Sequence, residues 1–340
     1  MNLYARLRPL LFQINPETAH HLGIAVLQGA ARLDRWNPFQ EKPCDKPVEL
    51  MGLTFPNPIG MAAGFDKNGE CIEGLSSLGF GFIEVGTVTP RPQMGNPLPR
   101  LFRIPEHQAL INRMGFNNKG VDYLLEQIDG SDYTGILGIN IGKNRDTPND
   151  RALNDYAECL EKVYSKASYV TINISSPNTP GLRELQTTEV LDQLLDGLMC
   201  TRTKLADTHG RCVPLLVKIA PDLDSEAIKA MAEIFVRHKV DGIIATNTTA
   251  TRFGVEQHPV AKEAGGMSGR PLKEHATAVV AELHAALGDS LPIIACGGIF
   301  NATDVQEKLA AGARLVQVYT ALIYEGTSLV TNIMKKLNQT

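Results

Sequence analysis

The chain has 340 residues, 43% hydrophobic and 21% charged, the make-up of an ordinary soluble globular protein with a large core. Its formal net charge of −4 argues against nucleic-acid binding, which usually brings a basic excess. Six scattered cysteines (Cys44, Cys71, Cys159, Cys200, Cys212 and Cys296) contain no C-x-x-C pair, so no disulfide framework, structural zinc or cysteine-ligated iron–sulfur cluster is expected, and a reducing cytosolic setting fits.

In chain order, Met1 to Phe12 carries Arg6 and Arg8 but no apolar stretch or small-residue cleavage site, so no signal peptide is expected. No apolar run reaches the ~18 residues of a membrane-spanning helix. Tyr4, Leu7, Leu10, Leu11 and Ile14 recur at helical spacing. A second helix starts with Asn15 as N-cap, Pro16 at the first helical position and Glu17 in the first turn. Ala19, Leu22, Val26, Leu27, Ala30 and Leu33 form its apolar stripe. Asn37 to Pro47, with three prolines and mixed charge, reads as a linker. Residues 1–45 therefore read as a helical hairpin ahead of a larger body, 46–340. Its stripes have two readings. They dock on the body, the usual fate of such a stripe, or they lie on a membrane surface.

The body repeats one rhythm. Short apolar, β-branched runs occur at 57–64, 80–87, 135–142, 169–175, 214–220, 242–248, 292–298 and 315–320. Most of the intervening segments contain helical stretches, clearest in "TTEVLDQLLDGLMCTRTKLAD" and "SEAIKAMAEIFVRHKV". Continuous apolar strands alternating with amphipathic helices imply a parallel sheet covered by helices. Eight such units imply an α/β fold of the (β/α)8 TIM-barrel type, here with an N-terminal helical hairpin. An open doubly wound sheet is the alternative, but no G-x-G-x-x-G is present. "GINIGKN" (138–144) fails as a phosphate-binding P-loop, because its glycines are one residue too close and Asn144 replaces Ser or Thr.

A barrel of this kind places its active site at the C-terminal ends of its strands. There the runs carry Ala63, Gly64, Phe65, Asp66 and Lys67; Thr87; Asn140; Asn173, Ser175, Ser176 and Asn178; Lys218; Thr246, Asn247 and Thr248; Gly297 and Gly298; Tyr319 and Thr320. The set is rich in amides, hydroxyls and glycines and poor in acids. It suggests neither a metal cluster nor the carboxylate pair of a glycosidase. Amides offer donors and acceptors together, which suits a planar heterocycle with alternating C=O and N–H edges. Lysines in a barrel mouth suit an anion. The Gly-Gly after the seventh run and the turn after the eighth suggest a phosphate site.

Several strings then carry a resemblance over essentially the whole chain: "AAGFDKNGE", "GTVTPRPQ", "PRLFR", "NRMGFNNKG", "INIGKN", "NISSPNTPGLR", "VKIAPDL", "IATNTT", "GGMSGRPL" and "CGGI". The sequence resembles the dihydroorotate dehydrogenases, specifically their quinone-dependent, membrane-associated class. The resemblance implies oxidation of dihydroorotate to orotate in pyrimidine synthesis, with FMN as cofactor and no metal. It implies FMN contacts at Ala63, Gly64, Phe65, Asp66, Lys67, Thr87, Asn140, Asn173, Lys218, Thr246, Gly269, Gly298, Tyr319 and Thr320. Substrate contacts are implied at Lys67, Asn112, Arg113, Met114, Gly115, Phe116, Asn173, Asn178, Asn247 and Thr248. Asn112 to Phe116 lie on a loop that the strand-end test does not reach.

The position of the family's proton-abstracting base is occupied by Ser176, and serine there marks the quinone class. His20, Arg103 and Tyr319 match residues of the quinone site; taken alone, His20 reads as a surface helix histidine. The resemblance also shifts the hairpin reading toward a peripheral element on the cytoplasmic side of the cell membrane that shelters a quinone tunnel. It implies no nucleic acid and no obligate protein partner. A soluble-class relative, another flavin barrel and a non-catalytic phosphate-binding barrel are the rival readings. Oligomeric state and the preferred quinone are not legible in the sequence.

Overall fold

The computed structural model describes residues 3–32 and 45–339. Two helices come first, α1 (Leu3–Leu11) and α2 (Pro16–Ala31). Asn15 caps α2 as its sequence requires, accepting from the backbone N–H groups of Glu17 and Thr18. The expected linker Asn37–Pro47 lies outside the described residues except for positions 45–47, as do Leu33 of the second stripe and Cys44.

Thirteen strands follow among the described residues. They are β1 (Val48–Leu50), β2 (Leu53–Phe55), β3 (Ile59–Met61), β4 (Phe82–Val88), β5 (Leu101–Ile104), β6 (Ala109–Asn112) and β7 (Ile136–Ile141), then β8 (Tyr169–Asn173), β9 (Leu215–Ile219), β10 (Gly242–Ala245), β11 (Gly266–Gly269), β12 (Ile293–Cys296) and β13 (Leu315–Val318). Each of the eight apolar runs supplies one barrel strand. They close in parallel in the order β3-β4-β7-β8-β9-β10-β12-β13, so the expected (β/α)8 barrel with its helical extension is the architecture found. The small antiparallel sheet β11-β6-β5 is not marked by any of those runs. Its strands have four residues each, too few for a period-2 pattern to stand out.

Successive side chains on a strand alternate between faces, so inward residues recur every second position. At the lower end of the barrel these are Phe82, Tyr169, Leu216, Ile244, Ile294 and Leu315, a fully buried cluster. Phe55 of β2 packs edge-on against Phe82 with ring centres 5.2 Å apart, so the β1–β2 hairpin plugs this end. Gly138 is the space that admits Tyr169, since a Cβ there would lie 2.1 Å from the ring. Two residues further along the same strands, the inward positions become polar: Glu84, Asn140, Thr171, Lys218, Thr246, Cys296 and Gln317. The barrel is thus apolar below and polar toward its mouth.

The hairpin docks on the mouth side. On α2, Leu27 and Ala30 are buried, and Glu17 forms a bidentate ion pair with Arg100, at 2.7 Å, that is itself largely buried. Removing either partner would leave an uncompensated buried charge, a loss of roughly 3–5 kcal/mol. On α1, the Tyr4 hydroxyl donates to the Ile323 carbonyl at 2.5 Å and Arg8 to that of Tyr324 at 2.6 Å, while Phe12 meets Tyr324 edge-on. The stripes are wider than the dock. Leu7, Leu10, Ile14, Leu22 and Val26 stay exposed, although Leu22 and Val26 belong to the same sequence stripe as the buried Leu27. On α2 the outward residues sit one helical face away from the contact.

The backbone of α2 runs close over Gly74, on the short helix Ile72–Ser76, where a Cβ would lie 2.6 Å from the Leu27 carbonyl oxygen. Backbone cannot yield there as a side-chain tip can. Gly74→Val is expected to cost about 1–3 kcal/mol of docking, as overpacked sites do. Limited proteolysis should then cleave within 3–32 much faster than in the unaltered protein, while thermal unfolding of the barrel stays within a few degrees. Unchanged cleavage would show that the contact does not hold the hairpin.

Candidate active site

The mouth of the barrel opens into a cavity. The C-terminal ends of the barrel strands, the loop after β6 and helix α2 all line it.

Of the residues expected to meet a cofactor, Ala63, Gly64, Lys67, Thr87, Asn173, Lys218, Thr246, Gly269, Gly298, Tyr319 and Thr320 line the cavity. Of those expected to meet substrate, Asn112, Met114, Gly115, Phe116, Asn178, Asn247 and Thr248 do so too, together with Ser176. Four of the expected residues do not line it. Phe65 lies behind, wedged edge-on between His20 and Tyr319. Asp66 turns inward, and its carboxylate accepts from the backbone N–H groups of Cys71 (2.7 Å) and Glu70 (2.9 Å), which folds the loop carrying Lys67. Burial pushes the Asp66 carboxyl upward against those bonds. Asn140 is fully buried in the layer below. Arg113 points away, paired with Glu263 at 2.6 Å and stacked on Phe102.

The polar layer takes its direction from Glu84. A carboxylate can only accept. Glu84 receives Asn140 Nδ2 at 2.8 Å on one oxygen, and Gln317 Nε2 (2.7 Å), the Tyr169 hydroxyl (3.0 Å) and the Thr171 hydroxyl (3.3 Å) on the other. Asn140 must therefore turn its Oδ1 toward the mouth, where it accepts from the Thr87 hydroxyl and Asn173 Nδ2. Asn173 in turn presents Oδ1 to Asn247 Nδ2 and to Ser175. Gln317, with its Nε2 committed to Glu84, is left with a buried Oε1 that has no partner.

The two neighbouring serines are sorted by this network. Ser175 is fully buried and its hydroxyl accepts from Asn247 at 3.0 Å. Ser176 lines the cavity, and its Oγ accepts from the Asn178 backbone N–H at 3.2 Å.

Among the described residues no carboxylate lines the cavity, whereas Lys67 and Lys218 do, and neither Nζ has a hydrogen-bond partner there. Burial pulls the Lys67 pKa down to about 8. Asn178 Oδ1 and Thr248 Oγ1, both on the lining, are also buried without partners. Buried polar groups are nearly always satisfied, so unpaired cationic ends and unpaired acceptors converging on one space fit an anionic ligand with N–H and C=O edges.

α2 contributes His20 to the lining, so this residue is not the surface histidine it resembles in isolation. Burial, aided by Lys67, pushes its pKa down to about 3, leaving a neutral imidazole. Tyr319 is kept as a neutral phenol, its pKa raised by burial to about 12. Arg103 does not reach the cavity. It stacks on Phe12 and donates to the Ile14 carbonyl at 2.9 Å, bracing the turn between α1 and α2.

Lining residues outside the expected set include Gln317, Cys296 and Ser268. The first two were legible: each stands two positions beyond an inward apolar residue, Leu315 and Ile294, on its strand. Ser268 sits on β11, where no periodic signal exists.

Comparison with known proteins agrees with this geometry. The sequence profile described as Dihydroorotate dehydrogenase matches residues 47–340. The dihydroorotate dehydrogenase (quinone) of Methylococcus capsulatus is 59% identical over 327 residues, 96% of each chain. That of Nitrosospira multiformis is 56% identical, covering 98% of this chain and 96% of its own. A crystal structure of the Eimeria tenella DHODH in complex with ferulenol superposes with a TM-score of 0.87 at 36% identity, covering 98% of this chain and 95% of that one. With a profile spanning the barrel and relatives matched from hairpin to C-terminus, this chain belongs to the dihydroorotate dehydrogenase family, in its quinone-dependent class.

Proposed function

We propose that this chain oxidises dihydroorotate to orotate with Ser176 as the base, uses FMN as its flavin, and returns the electrons to a membrane quinone reached beside the N-terminal hairpin. The observation that carries the proposal is the Ser176 hydroxyl, four asparagines and two unpaired lysines converging on one cavity that no carboxylate lines among the described residues.

Lys67, Asn112, Asn178 and Asn247 suit the carboxylate and the imide-like edge of the substrate ring, because they present a cation and both polarities of hydrogen bond. Holding the ring in one pose is worth much of the barrier by itself. Ser176 Oγ takes the proton from C5, and its own hydroxyl proton passes on toward solvent. The Asn178 N–H directed at Oγ favours negative charge developing there. Bound FMN supplies the acceptor for the hydride that leaves C6. Ala63, Gly64, Thr87, Asn173, Lys218 and Thr246 would hold its ring system. Gly269, Gly298, Tyr319 and Thr320, at the ends of β11, β12 and β13, would hold its phosphate. Lys218 would offer a positive charge to that ring system. Asp66, Phe65 and Asn140 support this shell from behind, and Arg113 anchors the substrate loop from outside.

The quinone side is the hairpin side. His20 and Tyr319 are both neutral and line the cavity, with Phe65 between them. Within 3–32 the single acid, Glu17, is buried in its ion pair, so the charges left to the hairpin's solvent side are cationic, as at Arg6 and Arg32. Exposed leucines beside cations suit an anionic bilayer surface. No described helix is long and apolar enough to cross a membrane. The proposed attachment is peripheral, through this face of the hairpin, on the cytoplasmic side of the cell membrane.

Three outcomes test the reading. Ser176→Ala should keep its bound flavin yet slow flavin reduction by dihydroorotate by about 10²-fold or more in single-turnover absorbance measurements; a near-normal rate would remove Ser176 from the role of base. Lys67 carries its charge below about pH 8 and loses it above. Orotate affinity should therefore fall as the pH rises through about 8, and Lys67→Met should abolish that dependence in flavin-perturbation titrations. Finally, replacing Leu10, Leu22 and Val26 together by serine should weaken partition onto anionic vesicles by about tenfold or more, since each loses apolar burial worth roughly 1.5–3 kcal/mol at full insertion. Turnover with a water-soluble electron acceptor should be unaffected.

A further inference from the structure

The loop of residues 93–100, between β4 and β5, contributes no side chain to the cavity, yet it bonds both segments that carry the proposed substrate groups. Asn96 is the junction. Its Nδ2 donates to the Arg113 carbonyl at 2.9 Å, on the loop after β6, and to the Asn178 carbonyl at 3.0 Å, two residues beyond Ser176. Its backbone N–H donates to the Met114 carbonyl at 3.0 Å, and its Oδ1 accepts from Arg145 at 3.1 Å. Gln93 completes the arrangement, with Nε2 donating to the Gly115 (3.1 Å) and Phe116 (3.0 Å) carbonyls. The carbonyls of residues 113–116 are thereby all held by this loop.

The fit is close. A Cβ on Gly95 would lie 2.3 Å from the Met114 carbonyl oxygen, and one on Gly115 would lie 2.8 Å from Asn96 Nδ2. Phe116 adopts φ 54, a left-handed conformation that costs a bulky residue energy and persists only where its surroundings over-determine it. The side chains of Gln93 and Asn118 both grip its carbonyl. The other side-chain link between the two substrate segments joins Asn178 Nδ2 to Asn112 Oδ1 at 3.0 Å. Both of its partners belong to the proposed substrate shell, so a bound ring competes for the same two amides. The Asn96 link is made to backbone and remains.

We propose that Asn96 is a positioning residue for the substrate half of the reaction: its amide bridges the 112–116 loop and the Ser176 loop and fixes the distance between the groups that hold the ring and the hydroxyl that deprotonates it. The inference rests on the functional reading above. It requires two donors on one short side chain, which aspartate lacks and serine, with a single hydroxyl, supplies only in part. Aspartate is close in shape and faces Arg145, so the fold has reason to tolerate it.

The test compares the Asn96→Asp and Asn96→Ser holoenzymes with the unaltered one. Both variants are expected to retain flavin and to reoxidise chemically reduced flavin with a quinone analogue at the unaltered rate. Orotate affinity, read from the flavin spectrum, and the rate of flavin reduction by dihydroorotate should each fall at least about tenfold, the scale of a lost hydrogen bond that leaves a buried carbonyl unpaired. Orotate affinity and reduction rate within twofold of the unaltered holoenzyme in both variants would overturn the role of Asn96. So would an equal fall in both half-reactions with loss of flavin, which marks a general structural part. If the unaltered holoenzyme does not bind orotate, the functional reading fails, and that result is distinct from either variant matching it.

Discussion

An acceptor-only carboxylate in the barrel interior governs the site. Glu84 is almost fully buried, and it takes hydrogen bonds from four neighbouring side chains rather than from a cation. Because it cannot donate, each amide around it is turned one way. That choice passes from Asn140 to Asn173 to Asn247, so the donor and acceptor pattern at the mouth is set from the layer below it. A partly satisfied network of this kind would be worse than an apolar core, since unpaired buried groups are costly in low dielectric. Here the network closes except at Gln317 Oε1, on a residue that lines the cavity, where Asn178 Oδ1 and Thr248 Oγ1 also lack partners.

The same logic separates the two halves of the chemistry. On one side, backbone-anchored loops hold Ser176 and the asparagines, and the ligand they suit is small, planar and anionic. On the other, α2 brings His20 against Phe65 and Tyr319, an aromatic, uncharged wall. Lys67 stands where both meet. Its lowered pKa follows from that position, since burial disfavours the charge that an anionic ligand would restore.

The hairpin serves two demands with one pair of helices. Its inner face must be specific, which the Glu17–Arg100 pair and the contact over Gly74 supply. Its outer face keeps apolar side chains in solvent. A hydrophobic stripe has no means of recording which of its residues will face the protein and which will stay exposed. Leu22 and Leu27 lie in the same stripe and have opposite fates.

Much of the fold was legible because its signals are local. Eight continuous apolar runs with helices between them sufficed for the barrel, and Asn15-Pro16-Glu17 sufficed for the start of α2. The ends of those runs, with the rule that barrels bind at strand ends, brought most of the lining residues into view. Motif resemblance added the 112–116 loop and singled out Ser176. What the sequence alone determined is the order and type of the barrel elements, and the chemical class of the groups at the mouth. Tertiary structure decided what depends on contacts between distant segments. Asp66 and Asn140 became supports, Arg113 turned outward, Ser175 was buried while Ser176 stayed on the cavity, and Asn96 joined loops that lie 17 and 82 residues away from it. A residue's type and its near neighbours state what it can bond. Only closure of the barrel brings it the partner it does bond, because hydrogen-bond direction and burial are properties of that assembled neighbourhood.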